Sequence, residues 1–176
     1  IHIKNGFTKY PIIPGHEWSG TIVAVGRDVR DLKVGDRITS DVSLGCGECD
    51  ECRKGHYNLC PNREVVGSYR NRQGVFAEYV AVPQGQLMPL PEGYSFAEAA
   101  SIVEVACTVW SNLVMLAGLH EGQTLLVHGG AGGIGTFAIQ LGKALGCTVA
   151  VTAGSPEKLQ TCKELGADLL INSRDE

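Results

Sequence analysis

The chain has 176 residues, 44% of them hydrophobic, with 23 glycines, a composition that suits a globular, loop-rich α/β protein and gives no sign of disorder. A formal charge of -4 argues against a nucleic-acid or anionic-membrane surface, since either calls for clustered Lys and Arg. No apolar run reaches the ~20 residues of a membrane helix, and Ile1 to Gly6 is no signal peptide, so the expected setting is the cytoplasm and the expected partner a small soluble molecule.

In chain order, Pro11-Ile12-Ile13-Pro14 is a stiff extended lead that delivers Gly15-His16-Glu17 into a turn. Thr21 to Val25 is β-branched and stops at Gly26, which predicts a strand, and Val34 to Thr39 reads as a turn entering another. Short strands of this kind suggest a small β-barrel or sandwich. His16 beside Glu17 could offer an imidazole and a carboxylate to a metal, or be a solvated turn.

Cys46, Cys49, Cys52 and Cys60 follow with the spacing C-x2-C-x2-C-x7-C. A tight loop aims three thiolates at one point and a short return brings the fourth, which reads as a closed structural zinc site. A redox pair or a disulfide framework is the alternative, but neither uses all four cysteines at these intervals. Cys107, Cys147 and Cys162 lack such spacing and read as reduced thiols of a reducing compartment.

The stretch from Glu64–Ser68 to Gly74–Pro83 alternates well enough to predict a strand ended by Pro83, with Phe76, Glu78 and Val80 on one side and Ala77, Tyr79 and Ala81 on the other. Ser95 with Glu98 three residues on has the form of a capping box, opening helical pieces over 96–116. Glu104 within an apolar run needs a partner or a solvated helix end, because burying an unpaired carboxylate is costly.

Thr124 to His128 reads as a short buried strand, running into Gly129-Gly130-Ala131-Gly132-Gly133-Ile134-Gly135 and a helix to Leu145. Gly130-x-Gly132-x-x-Gly135 between a strand and a helix, with a second strand at 147–152, is a dinucleotide fingerprint; Gly130, Gly132, Gly133, Ile134 and Gly135 are its candidate cofactor-binding positions. Ile134, Ala138, Leu141 and Leu145 are expected to supply the helix's core face. The tip of the second strand, Ala153-Gly154-Ser155-Pro156-Glu157-Lys158, carries no acid for a ribose 2′-hydroxyl, and Ser155 with Lys158 leaves room and positive charge for a 2′-phosphate. NADP(H) is therefore preferred over NAD(H), unless Ser155 and Lys158 only cap and solvate the next helix.

The G-H-E turn of Gly15-His16-Glu17, the cysteine loop and the later glycine turn, in this order, resemble the zinc-dependent medium-chain dehydrogenases/reductases of the alcohol dehydrogenase superfamily, over essentially the whole chain. The resemblance implies a GroES-like β-barrel catalytic domain over 1–104 with a structural zinc lobe at 45–61, then the start of a Rossmann nucleotide-binding domain over 105–176. It implies a catalytic zinc held by His16, with Glu17 as an alternate or neighbouring carboxylate, and Glu104 as a third ligand in preference to Cys107. The first ligand would precede Ile1, and His2 would relay a proton from the substrate oxygen on which the zinc acts as Lewis acid. The implied activity is reversible hydride transfer between NADP(H) and an alcohol/carbonyl pair, in a homo-oligomer, dimer or tetramer. With no initiator Met and an end just past a strand, the chain reads as an internal segment expected to lack turnover by itself. Ser173, where similar quinone reductases have an aromatic residue after Ile-Asn, departs from the NADP pattern. Zinc-independent quinone or enoyl reductases resemble the glycine turn too, but they generally lack the cysteine lobe and the G-H-E histidine; a non-catalytic zinc- and nucleotide-binding protein is the remaining alternative.

Overall fold

Strand-forming residues here become strands only where a second segment lies alongside to complete the ladder. The elements in order are β1 (Ser19–Thr21), β2 (Arg37–Ser40), β3 (Ser43–Leu44), α1 (Asp50–Arg53), β4 (Glu64–Val65), β5 (Leu87–Pro89), α2 (Phe96–Val109), β6 (Thr124–His128), α3 (Gly133–Ala144), β7 (Thr148–Ala153), α4 (Pro156–Glu164) and β8 (Leu169–Asn172). The computed structural model describes residues 8–68, 70 and 72–175. The chain divides into two compact units, Ile1–Glu104 and Val105–Glu176.

In the first unit β2 is central, pairing antiparallel with β1 on one edge and β5 on the other, Thr39 standing opposite both Ser19 and Met88. β3 and β4 form a separate two-stranded ladder. The expected strand over Thr21 to Val25 ends early, at Thr21. Ile22 exchanges backbone bonds with Asp36 and Gly35, both 2.9 Å, and beyond it Val23 and Val25 are exposed. The expected strand over 74–83 does not form either. Its first N–H groups bond to the carbonyls of residues 13–15, and Phe76 and Tyr79 then stand exposed. Glu78 breaks the apolar run of the side it shares with Phe76 and Val80, and among the described residues no second strand lies alongside to complete a ladder.

The capping box is present. Ser95 N–H donates to Glu98 Oε2 at 2.8 Å and Glu98 N–H to Ser95 Oγ at 3.2 Å, and the Ser95 hydroxyl holds the Glu98 carboxyl below its usual range. The helix it opens is fastened to the first sheet where Ser19 Oγ donates to Phe96 O at 2.6 Å and the Arg37 guanidinium sits 4.6 Å from the centre of the Phe96 ring. Past Val109 the helix continues as a π-helical stretch, Trp110–Leu116. Together these make 21 residues, Phe96–Leu116, long and apolar enough by length and composition to cross a membrane, which corrects the expectation from consecutive apolar runs. Two of its carboxylates are engaged within the first unit, Glu98 with Ser95 and Glu104 with His16.

The second unit is a parallel sheet in the order β6-β7-β8, with α3 against β6 and β7 and α4 against β7 and β8. Val149 and Val151 of the central strand are fully buried with Ile139 and Cys162. β6, expected to be buried, is only half so: Leu125 and Val127 face the core while Leu126 is 51% exposed. Among the described residues it pairs on one edge, and α3 lies against it on the face of Leu125 and Val127. Ile134 is likewise 48% exposed, against expectation. The core face of α3 is Gly135, Ala138, Ile139 and Gly142, an i, i+3, i+4, i+7 set one residue out of phase with Ile134. A clip closes the far end of the sheet: Lys143 Nζ donates to both Asp168 oxygens, at 2.9 and 2.8 Å, and Asp168 Oδ2 accepts Val149 N–H at 2.7 Å.

Candidate functional site

The cysteine lobe is built by local hydrogen bonding. Cys49 caps α1, its sulfur accepting Cys52 N–H at 3.5 Å, and a 3-10 turn at Tyr57–Leu59 returns Cys60, whose sulfur accepts Cys46 N–H at 3.4 Å. Tyr57 donates its hydroxyl to Asp41 Oδ2 at 2.7 Å, tying the lobe to the turn between β2 and β3. All four sulfurs lie within 4.8 Å of one another, and none of the seven cysteines is in a disulfide. Four sulfurs about 2.3 Å from a tetrahedral zinc would be separated by roughly 3.8 Å, so the set fits the ion with small adjustment. Its electrostatics ask for a cation. Backbone N–H groups of Glu48 and Cys49 lower the Cys46 thiol to about 7. At Cys52 the Gly47 N–H pulls downward, but desolvation and the crowding of Cys49, Cys60 and Cys46 together outweigh it and push the thiol up to about 12.

His16 and Glu104, 88 positions apart in sequence, meet: His16 Nε2 is 2.9 Å from Glu104 Oε2, with about a third of each side chain exposed. The partner that Glu104 needed is thus an imidazole. The loop bearing His16 is held on its carboxyl side by Thr39 Oγ1 donating to Trp18 O at 2.6 Å and Trp18 Nε1 donating to Ser40 Oγ at 3.2 Å. On its amino side Gly15, at φ +92, accepts Val75 N–H through its carbonyl, and a Cβ there would run into the Phe76 ring. A nitrogen and an oxygen ligand of a tetrahedral zinc stand about 3.3 Å apart, so this pair fits two of three protein ligands. Glu17 is exposed and is not brought into the pair; Cys107 is exposed, three residues beyond Glu104. His2 lies outside the described residues.

The glycine turn joins β6 to α3 as its spacing predicts. Gly130 N–H donates to Thr152 O at 2.9 Å, Gly132 N–H to Gly129 O at 2.9 Å, and Gly132 is the N-cap, with no side chain over the free N–H groups of α3. Gly135 is where the helix lies closest to the turn: a Cβ would stand 2.5 Å from Gly129 O and 2.6 Å from Gly130 O. A Cβ on Gly133 would meet only Val105 Cγ1 at 3.7 Å. Gly135→Ala should therefore cost about 1–3 kcal/mol by overpacking and weaken nucleotide binding, while Gly133→Ala should be close to neutral in thermal unfolding. Equal melting temperatures for the two variants would contradict this geometry.

Ser155 is the N-cap of α4, its Oγ accepting Lys158 N–H at 3.4 Å, and Lys158 itself is exposed. Three residues not singled out from sequence join this region. Thr152 Oγ1 accepts Gly129 N–H at 3.3 Å and lies 3.2 Å from His128 Nδ1, and Arg174 lies over Gly154. A β-strand position and a charged chain end carry no local signal of such proximity.

Residues 1–92 match the alcohol dehydrogenase GroES-like domain and residues 133–176 the zinc-binding dehydrogenase family. The chain belongs to the zinc-type alcohol dehydrogenase superfamily. Its fold is that superfamily's: a GroES-like domain followed by the start of the nucleotide-binding domain, whose opening is the parallel sheet β6-β7-β8. Within the superfamily it is 36% identical over 182 residues to D-arabitol-phosphate dehydrogenase of Enterococcus avium, covering 100% of this chain and 51% of that protein. Among solved structures it resembles an NAD-dependent alcohol dehydrogenase, with TM-score 0.90 and 38% identity over 95% of this chain and 48% of that one. Galactitol-1-phosphate dehydrogenase from Escherichia coli gives TM-score 0.87 and 39% identity over 98% and 49%. The chain spans about half the length of the curated relatives it matches.

Proposed function

We propose that the whole protein is a zinc-dependent oxidoreductase that moves a hydride between NADP(H) and an alcohol/carbonyl pair. The observation that carries this reading is the meeting of His16 Nε2 and Glu104 Oε2 at 2.9 Å, an imidazole and a carboxylate exposed enough to share a ligand and a substrate. In this reading residues 1–104 are the catalytic domain, with the zinc lobe at 45–61, and residues 105–176 begin the cofactor domain; the division of the chain into units at Glu104 supports that boundary.

His16 and Glu104 would hold the catalytic zinc, whose chemistry when bound is Lewis-acid polarisation of the substrate oxygen. Cys46, Cys49, Cys52 and Cys60 would hold a second ion with no open position, so the lobe serves architecture. The bare N–H groups at the start of α3 would donate to the pyrophosphate oxygens, and Gly135 lets that helix start close to the strand end. His2, in the same reading, passes a proton outward. Seven cysteines outside any disulfide suit the cytoplasm, and a homo-oligomer completes the picture.

The relatives' names favour a polyol or its phosphate as the alcohol, since matches include D-arabitol-phosphate and sorbitol dehydrogenases at 36% and 34% identity. The test is zinc content of the whole protein by elemental analysis, paired with nicotinamide oxidation and reduction against simple alcohols, polyols and polyol phosphates. Two zinc ions per chain with turnover of an alcohol are expected. Turnover with one zinc, lost in Cys46→Ser, would move the assignment to a zinc-independent reductase. Two zinc ions and no turnover on any alcohol or carbonyl would leave a binding protein.

A further inference from the structure

In a strand–turn–helix nucleotide site the ribose of the adenosine is read at the tip of the second strand, by an acid for a free 2′-hydroxyl or by a nearby arginine for a 2′-phosphate. Ala153 and Gly154 put neither there. Ser155, the sequence candidate, is already committed: its Oγ accepts Lys158 N–H, and its hydroxyl bonds the Glu157 carboxylate, holding that acid below its usual range. Lys158 is exposed on α4, and its side chain takes part in no hydrogen bond or ion pair among the described residues.

The cation that reaches the tip comes from the far end of β8. Ser173 N–H donates to Ala153 O at 3.0 Å, which carries the β7–β8 pairing one residue past Asn172. Asn172 then turns the chain: its Oδ1 accepts Arg174 N–H at 3.2 Å and its carbonyl accepts Asp175 N–H at 3.2 Å. This turn lays the Arg174 side chain over Gly154, where a Cβ would stand 3.3 Å from Arg174 Nε and 3.9 Å from its Cζ. A side chain at this position would press the guanidinium back by a few tenths of an ångström. Among the described residues no carboxylate pairs with Arg174; Glu157 is engaged with Ser155, and Asp175 makes no ion pair. The guanidinium keeps its planar fork of N–H donors, the geometry that matches a phosphate with two parallel bonds.

We propose that Arg174 recognises the 2′-phosphate, so that it, rather than Ser155 or Lys158, sets a preference for NADP(H). The proposal rests on the NADP(H) reading above and is tested without turnover, by calorimetric titration of the whole protein with 2′,5′-ADP and with 5′-AMP. The parent protein should bind 2′,5′-ADP at least about 10-fold more tightly, and Arg174→Gln should remove most of that factor while leaving 5′-AMP unchanged, as expected for loss of a charge-assisted pair. Arg174→Lys should recover part of the preference, since the charge returns without the fork. Equal affinity of the parent for both nucleotides would overturn the NADP(H) reading and this assignment with it. A preference that survives Arg174→Gln, or one lost in Lys158→Gln instead, would overturn Arg174 alone. Loss of both nucleotides alike in Arg174→Gln would show a residue that shapes the strand end and reads no phosphate, and would also overturn the assignment.

Discussion

A Cys60→Ser variant should carry one zinc fewer per chain and unfold well below the parent protein. Cys60 is the only fully buried member of the cysteine cluster, and its sulfur also accepts the Cys46 N–H that sets the loop. Serine offers a hard, protonated hydroxyl where the site needs a soft thiolate, and three sulfurs cannot close a tetrahedral shell. The lobe has little else to hold it. α1 buries no residue, and the β3–β4 ladder is two residues long. Binding a structural zinc stabilises zinc-finger peptides by about 10–16 kcal/mol; with Ile22, Ile38, Leu44 and Val66 also buried in this unit, the expected loss is smaller, about 3–5 kcal/mol. Thermal unfolding with elemental analysis reads both effects, and a chelator should reproduce them in the parent. Cys107→Ser should change neither, because Cys107 is exposed and outside the cluster. An unchanged zinc content in Cys60→Ser would mean the four sulfurs are not a metal site.

His16→Ala should abolish turnover while sparing the cysteine lobe. The ring nitrogen faces Glu104 at 2.9 Å, and removing it takes away one of the two candidate ligands the described residues provide. Polarisation of a substrate oxygen by a metal supplies several kcal/mol of charge stabilisation, so kcat/KM should fall by at least about 10³-fold. One zinc per chain should be lost and one retained. Because His16 is about a third exposed and sits on a loop, the melting temperature should move far less than in Cys60→Ser. Glu104→Gln should give a similar loss of metal, since a neutral amide is a poor zinc ligand. Full activity in His16→Ala would end the zinc mechanism and leave the cysteine lobe as architecture on a different enzyme.

The two halves of the site differ in how readily sequence revealed them. Cysteines three residues apart around a tight loop, a Ser-x-x-Glu cap, and glycines placed between a strand and a helix are constrained by local backbone geometry, so their spacing carries their structure. Each of these formed as expected. Family resemblance paired His16 with Glu104, and chemistry alone asked of Glu104 only a partner or a solvated helix end.

What local pattern did not carry was anything that depends on a neighbour from elsewhere in the chain. Thr21 to Val25 and residues 74–83 have strand-like composition, yet a strand exists only where another backbone completes a ladder, and past Ile22 and past Phe76 none does among the described residues. Ile134 is apolar but turns outward, because small residues at Gly135 and Gly142 let α3 sit close to the sheet on a different face. Arg174 comes to lie over Gly154, 20 positions earlier, only because β8 pairs in parallel with β7 and delivers both strand ends to one place. Sequence by itself determined the cysteine lobe and the glycine turn, both set by short-range geometry, and the order of its motifs carried the resemblance to the superfamily; long-range pairing brought Glu104 to His16 and Arg174 to the strand tip.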